Sequence, residues 1–87
     1  MPVNERTVER LQRLIAKAIS DLRRARGLSI AELASAADIS EPAMEAIESG
    51  FDPPTIICFV RIADALECDP SELLALAERS GSASDAD

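Results

Sequence analysis

Val8, Leu11, Ile15, Ile19 and Leu22 recur at three- and four-residue spacing, the pattern of one buried face on an α-helix. Leu14 and Ala18 widen that stripe and Gly27 stops it, which predicts a first helix over about residues 5–26. Leu33, Ala34 and Ala37, with Ile30 behind them, predict a second helix over about 29–37. A third, over about 41–49, would turn Ala43, Met44 and Ile47 inward and end at Gly50. Ile56, Phe59, Val60, Ala63 and Leu66 form the expected inner face of a fourth over about 55–67, with Ile62 on its flank. Leu73, Leu74, Leu76 and Ala77 fill a fifth over about 70–79. The chain therefore reads as all-α. Residues 1–79 are expected to make one domain, with Met1 to Asn4 frayed and the small, acidic stretch 80–87 disordered.

The helix starts are marked by side-chain chemistry. Ser29 and Glu32 form a capping box: the serine accepts from the third backbone N–H while the glutamate reaches back to the serine's own N–H. Ser40 caps the third helix, and Pro42 falls in its first turn, where a missing N–H costs nothing. Thr55 opens the fourth, and Asp69-Pro70 with Glu72 opens the fifth. Between the second and third helices lies only Asp38-Ile39-Ser40, whose one apolar residue, Ile39, can plug the angle between them. Residues 29–50 thus read as a helix-turn-helix, a weak signal alone because many helical proteins contain such a pair.

The flanks carry the rest. Ile15, Ile19, Leu22 and Arg23 with Gly27-Leu28-Ser29 upstream, Ile47-Glu48 with Gly50, then Pro54-Thr55, Ile62-Ala63, Ala65-Leu66 and Ser71-Glu72-Leu73-Leu74 downstream resemble the phage-repressor family (Cro/CI-type, Xre-like). The match runs from Ile15 to Leu74 without a gap. The resemblance implies a five-helix repressor-like DNA-binding domain with an extended first helix and a central helix-turn-helix. In that family the first helix starts near Leu14 or Ile15, so residues 5–13 are an addition. Val8 and Leu11 lie on it, and either pack on the last helix of the same chain or touch a partner subunit.

Only two residues are aromatic, Phe51 and Phe59, and the apolar set is dominated by Ala, Leu and Ile, as suits packed helices. No apolar run approaches the roughly 20 residues of a membrane span, and no signal-peptide pattern follows Met1, so a cytoplasmic protein is expected. Two cysteines, Cys58 and Cys68, and no histidine cannot build an ordinary four-ligand zinc site. Lying ten positions apart on or just after one predicted helix, they would be roughly 15 Å apart, too far for a disulfide. Without histidine, a Gly-rich phosphate loop or a nucleophile elbow, neither an enzyme nor a cofactor is expected.

Charge is sorted along the chain. Residues 1–26 hold seven basic and three acidic side chains, net +4, while residues 27–87 hold two basic and thirteen acidic ones, net −11. Arg6, Arg10, Arg13 and Lys17 follow one another at helical spacing. Such a row is either a solvated face or the side that meets a polyanion.

The resemblance implies that the third helix enters the major groove of duplex DNA. Its base-reading positions would be Glu41, Pro42, Ala43, Glu45 and Ala46, with Ser40 capping it, and Ser29 and Ile30 opening the helix that crosses the backbone. Phosphate anchoring is assigned to Arg23, Arg24 and Arg26, with Lys17 as a further candidate. The recognition positions hold carboxylates and methyl groups where relatives place basic or hydroxyl side chains. Glutamate can accept from cytosine N4 and alanine can touch a thymine methyl, but each carboxylate repels phosphate. Two functions follow: a dimeric DNA-binding transcriptional regulator, or a repressor-like domain that binds protein through Glu41, Glu45, Glu48 and Asp52 or through Phe51 and Ile57. A homodimer is expected in both, through Val8, Leu11, Ile57, Leu74 and Leu76.

Overall fold

The computed structural model describes the backbone from Glu5 to Asp85 and side chains from Arg6 to Arg79. Five helices follow in order: α1 (Glu5–Ala25), α2 (Ile30–Ala37), α3 (Glu41–Glu48), α4 (Ile56–Ala65) and α5 (Pro70–Asp85). α1 lies along α5 and touches α3; α2 packs on both α3 and α4, and α4 closes against α5. Each helix or its cap contributes to one core, with Ile19, Leu33, Met44, Ile62, Leu66 and Leu73 fully buried. Each such side chain is worth about 1.5–3 kcal/mol of transfer free energy.

The caps hold as the sequence predicts. The Glu32 N–H donates to Ser29 Oγ at 3.0 Å and the Ser29 N–H to Glu32 Oε1 at 2.8 Å. Ser40 Oγ accepts from the Ala43 N–H, Thr55 Oγ1 from the Cys58 N–H, and Asp69 Oδ1 from the Ser71 N–H. Four helix ends close in the same way, the sixth N–H returning to the first carbonyl: Leu28 to Arg23, Ile39 to Ala34, Phe51 to Ala46 and Cys68 to Ala63. Each needs one left-handed residue. Gly27 (φ 71°) and Gly50 (φ 80°) supply it at two ends, Asp38 (φ 57°) and Glu67 (φ 56°) at the others.

Several positions differ from expectation. Ala43 is exposed, because α3 presents only Met44 and Ile47 to the core. α4 and its C-cap bury Ala63 and Leu66 as expected, but the helix is turned so that Ile62 is buried with them, which leaves Ile56 84% and Val60 46% exposed. α5 continues past Arg79 to Asp85, so most of the expected tail is helical. Once started at Pro70, each further residue adds a hydrogen bond with no new nucleation cost, and the roughly 1 kcal/mol cost of Gly81 does not stop it. Residues 1–4 and 86–87 lie outside the described residues. Among the described residues, no helix is long and apolar enough to cross a membrane.

Candidate nucleic-acid interface

The elbow between α2 and α3 is set by backbone bonds. The Ile39 N–H donates to the Ala34 carbonyl at 2.9 Å, Asp38 takes the left-handed turn, and half-buried Ile39 packs on the core beneath. α3 leaves this joint with Met44 and Ile47 inward. Glu41, Pro42, Ala43 and Glu45 are exposed along its outer side, and Ala46 is half-buried at the edge. Ser29 and Ser40 are exposed at the helix starts, their hydroxyls occupied as caps, whereas Ile30 is half-buried and packs on the core. Glu41, Pro42, Ala43 and Glu45 thus share one exposed side, whereas Ile30 is turned to packing.

The arginines divide. Arg23 is buried: its Nε donates to Glu48 Oε2 at 2.8 Å and Oε1 at 3.1 Å, and its Nη1 donates to the Leu28 carbonyl at 2.7 Å. With side chains only 11% and 6% exposed, Arg23 and Glu48 form an interior pair that ties α1 to the end of α3. Arg23 is thus a brace and not a phosphate anchor, and Glu48 drops out of the acidic surface. Arg26 donates to Glu67 Oε2 at 3.0 Å and to the Glu67 carbonyl, clasping α1 to the α4–α5 turn. Arg24 remains exposed, with the Asp21 carboxylate 3.9 Å away. The pairing had a faint sequence signal. Arg23 falls four positions after Ile19 and Glu48 directly after Ile47, each on the border of a buried stripe.

The outer surface of α3 and the loop after it carry Glu41, Glu45 and Asp52, all exposed. Glu32 is also acidic and exposed nearby in sequence, but its carboxyl is engaged with Ser29, which holds it below its ordinary value. Cys58 and Cys68 are unpaired and half-buried, and burial pushes the Cys68 thiol up. Among the described residues, no group of three or more metal-ligating side chains comes together.

The apolar candidates separate as well. Val8, Leu11 and Leu74, with Ile15, Ile56 and Phe59, line an open groove of about 340 Å³ floored by α1 and closed on one side by Pro53-Pro54. Ile57 is 65% exposed on the same first turn of α4 as Ile56. Leu76 does not join them. It is half-buried and borders a different hollow, with Ala18, Asp21 and Leu22.

Two short capped helices at a rigid elbow, the second with its outer side open and three other helices bracing it, define a helix-turn-helix regulator fold. The chain belongs to the helix-turn-helix domain family, whose model matches residues 14–76. It is similar to the clp gene regulator ClgR from Corynebacterium glutamicum, with a TM-score of 0.82 and 22% identity over 87% of this chain and 81% of that one. The restriction-modification controller protein C.AhdI from Aeromonas hydrophila gives 0.69 and 26%, over 71% and 94%. An HTH_3 family transcriptional regulator from Vibrio cholerae gives 0.70 and 34%, over 75% of this chain and 36% of that one. These neighbours are regulators and not enzymes. No curated protein matches the chain. Residues 5–13 of α1 precede the matched segment.

Proposed function

We propose that this chain is a Cro/CI-type DNA-binding transcriptional regulator that acts in the cytoplasm as a homodimer and reads duplex DNA with an unusually acidic recognition helix. The observation that carries this reading is the open outer side of α3, with Glu41, Pro42, Ala43 and Glu45 free to approach base edges. The similar solved structures, named as regulators, support it. Glu41 and Glu45 accept from cytosine N4, and Pro42 and Ala43 meet thymine methyls. The second copy covers the groove lined by Val8, Leu11 and Leu74, with Ile57 at its border, and two-fold symmetry sets the half-sites about 34 Å apart, one helical turn of DNA. Sedimentation of a monomer at tens of micromolar would remove the dimer.

The test is a salt titration of binding to mixed duplex. Affinity should fall steeply as salt rises, and replacing Glu41 and Glu45 by Gln should strengthen nonspecific binding by removing repulsion. Flat binding in the millimolar range at low salt ends this reading.

One observation favours a second reading, a protein-interaction module. Arg23 and Arg26 are held by Glu48 and Glu67 while Glu41, Glu45 and Asp52 face solvent. In that case charge reversal at Glu41 and Glu45 abolishes capture of a protein partner without unfolding the domain. Retention of the partner by the reversed variant excludes this acidic surface.

A further inference from the structure

We propose that the basic row on the first half of α1 (Arg6, Arg10, Arg13 and Lys17) is the element that grips the DNA backbone, beside the half-site entered by α3. The inference rests on the DNA-binding reading and assigns its phosphate contacts to residues outside the matched helix-turn-helix segment, Lys17 excepted.

Three observations lead there. First, two of the three arginines at the end of α1 are occupied: Arg23 is buried against Glu48 and Arg26 is bound to Glu67, which leaves Arg24, exposed and 3.9 Å from Asp21. Because α3 and its loop present Glu41, Glu45 and Asp52, attraction for a polyanion has to come from elsewhere. Second, the row lies next to the end of α3. A side chain at Gly50 would meet Arg13 Cγ at 3.9 Å, and Gln12 and Arg13, with Glu9 at their side, share a hollow of about 440 Å³ with Ser49, Gly50 and Phe51. Third, at about 100° per residue the four basic positions fall within a 60° arc, roughly opposite the Val8–Leu11–Ile15 side. One stretch of helix therefore carries an apolar face toward the groove and a cationic face away from it.

Arg6, Arg13 and Lys17 are exposed, and Arg10 is half-buried. The ion pairs among the described residues leave Arg13 out, and the 2.7 Å Lys17–Asp21 pair is exposed enough for a phosphate to replace it. The row spans about 16 Å, the rise of about five base pairs of duplex.

The experiment measures binding of the full chain to a random duplex across a salt series. Wild type is compared with Arg6→Gln/Arg13→Gln and with Arg6→Lys/Arg13→Lys, each checked for an unchanged melting curve. Gln and Lys are near Arg in helix propensity, so the helix is retained. Each cation removed from a phosphate takes about 0.9 from the slope of log K against log salt. The Gln pair should therefore lose about 2 from that slope and bind about tenfold or more weakly at low salt, while the Lys pair keeps the wild-type slope. Wild-type binding with an unchanged slope in the Gln variant overturns this inference alone. No duplex binding by wild type overturns the DNA-binding reading and this inference with it. If the Gln pair loses binding to polyglutamate while keeping its duplex slope, the row belongs to an acidic protein partner and the proposal falls.

Discussion

Between Ala16 and Ala25, α1 buries Ala16, Ala18, Ile19 and Arg23, whereas between Arg6 and Ile15 no residue is fully buried and Val8 and Leu11 are 46% and 40% exposed. Both halves follow the same three-and-four spacing. The difference lies across from them. The second half holds Arg23 against Glu48 and the Leu28 carbonyl; the first half faces an open groove on one side and, at Arg13, the turn after α3 on another. Periodicity determines which side chains share a face, and the neighbouring element determines whether that face is dry. The second half is built into the fold, and the first leaves Val8 and Leu11 exposed on one side and Arg6 and Arg13 exposed on another.

Substitutions can break this contrast. The largest effect is expected for Arg23→Ala, which strands the Glu48 carboxylate in the interior; removing one partner of such a pair costs about 3–5 kcal/mol. A loss below about 1 kcal/mol in urea unfolding would mean that water reaches Glu48 and that the brace is weak. Next comes Ile19→Ala, expected to cost about 3 kcal/mol because Ile19 is fully buried, set against about 1 kcal/mol or less for Leu11→Ala in the monomer. Equal losses at the two sites would show that the halves of α1 are not distinct. If Leu11→Ala also weakens the proposed self-association while Ile19→Ala leaves it alone, the division sharpens.

The smallest effect is expected at the start of α2. Ser29→Ala removes one helix cap and should cost about 1 kcal/mol. Hydrogen bonds from Ser29 hold the Glu32 carboxyl below its ordinary value of 4.5, and bonds from Ser71 hold Asp69 below 3.8. Both groups bind protons more weakly when folded, so their stabilisation is complete above those ordinary values. It fades as pH falls through them toward the lower folded values. The melting temperature should therefore drop between about pH 6 and about pH 3, and Ser29→Ala should make that drop shallower. An equally steep drop in the variant would remove the capping box as a source of acid sensitivity.

The helices and their starts were legible because caps and stripes are local: Ser29, Glu32, Ser40, Pro42, Thr55 and Asp69 act within a few residues of themselves. What escaped depends on distant chain. Arg23 and Glu48 lie 25 residues apart, and Arg26 and Glu67 lie 41 apart, so neither pairing follows from helical spacing. The rotation of α4 escaped for a related reason. Apolar residues nearly encircle its first turns, and only contact with α2 and α5 selects Ile62 over Ile56 and Val60. Asp38 and Glu67 hid for another reason: glycine announces a left-handed turn, while an acidic residue in the same conformation gives no warning. The outward row of α3 was legible almost in full, and Ala43 simply belongs to it.

The joint at Asp38-Ile39-Ser40 has a consequence for how such a chain can change over generations. Each of the joint's three residues is committed, Asp38 to the left-handed turn, Ile39 to the bond with the Ala34 carbonyl and Ser40 to the cap of α3, so a residue gained or lost there breaks at least one of these. Met44 and Ile47 would then stay seated in the core only if a new joint of the same span replaced the old one. Letters on the outer row are free to vary; the count of letters in the hinge is not.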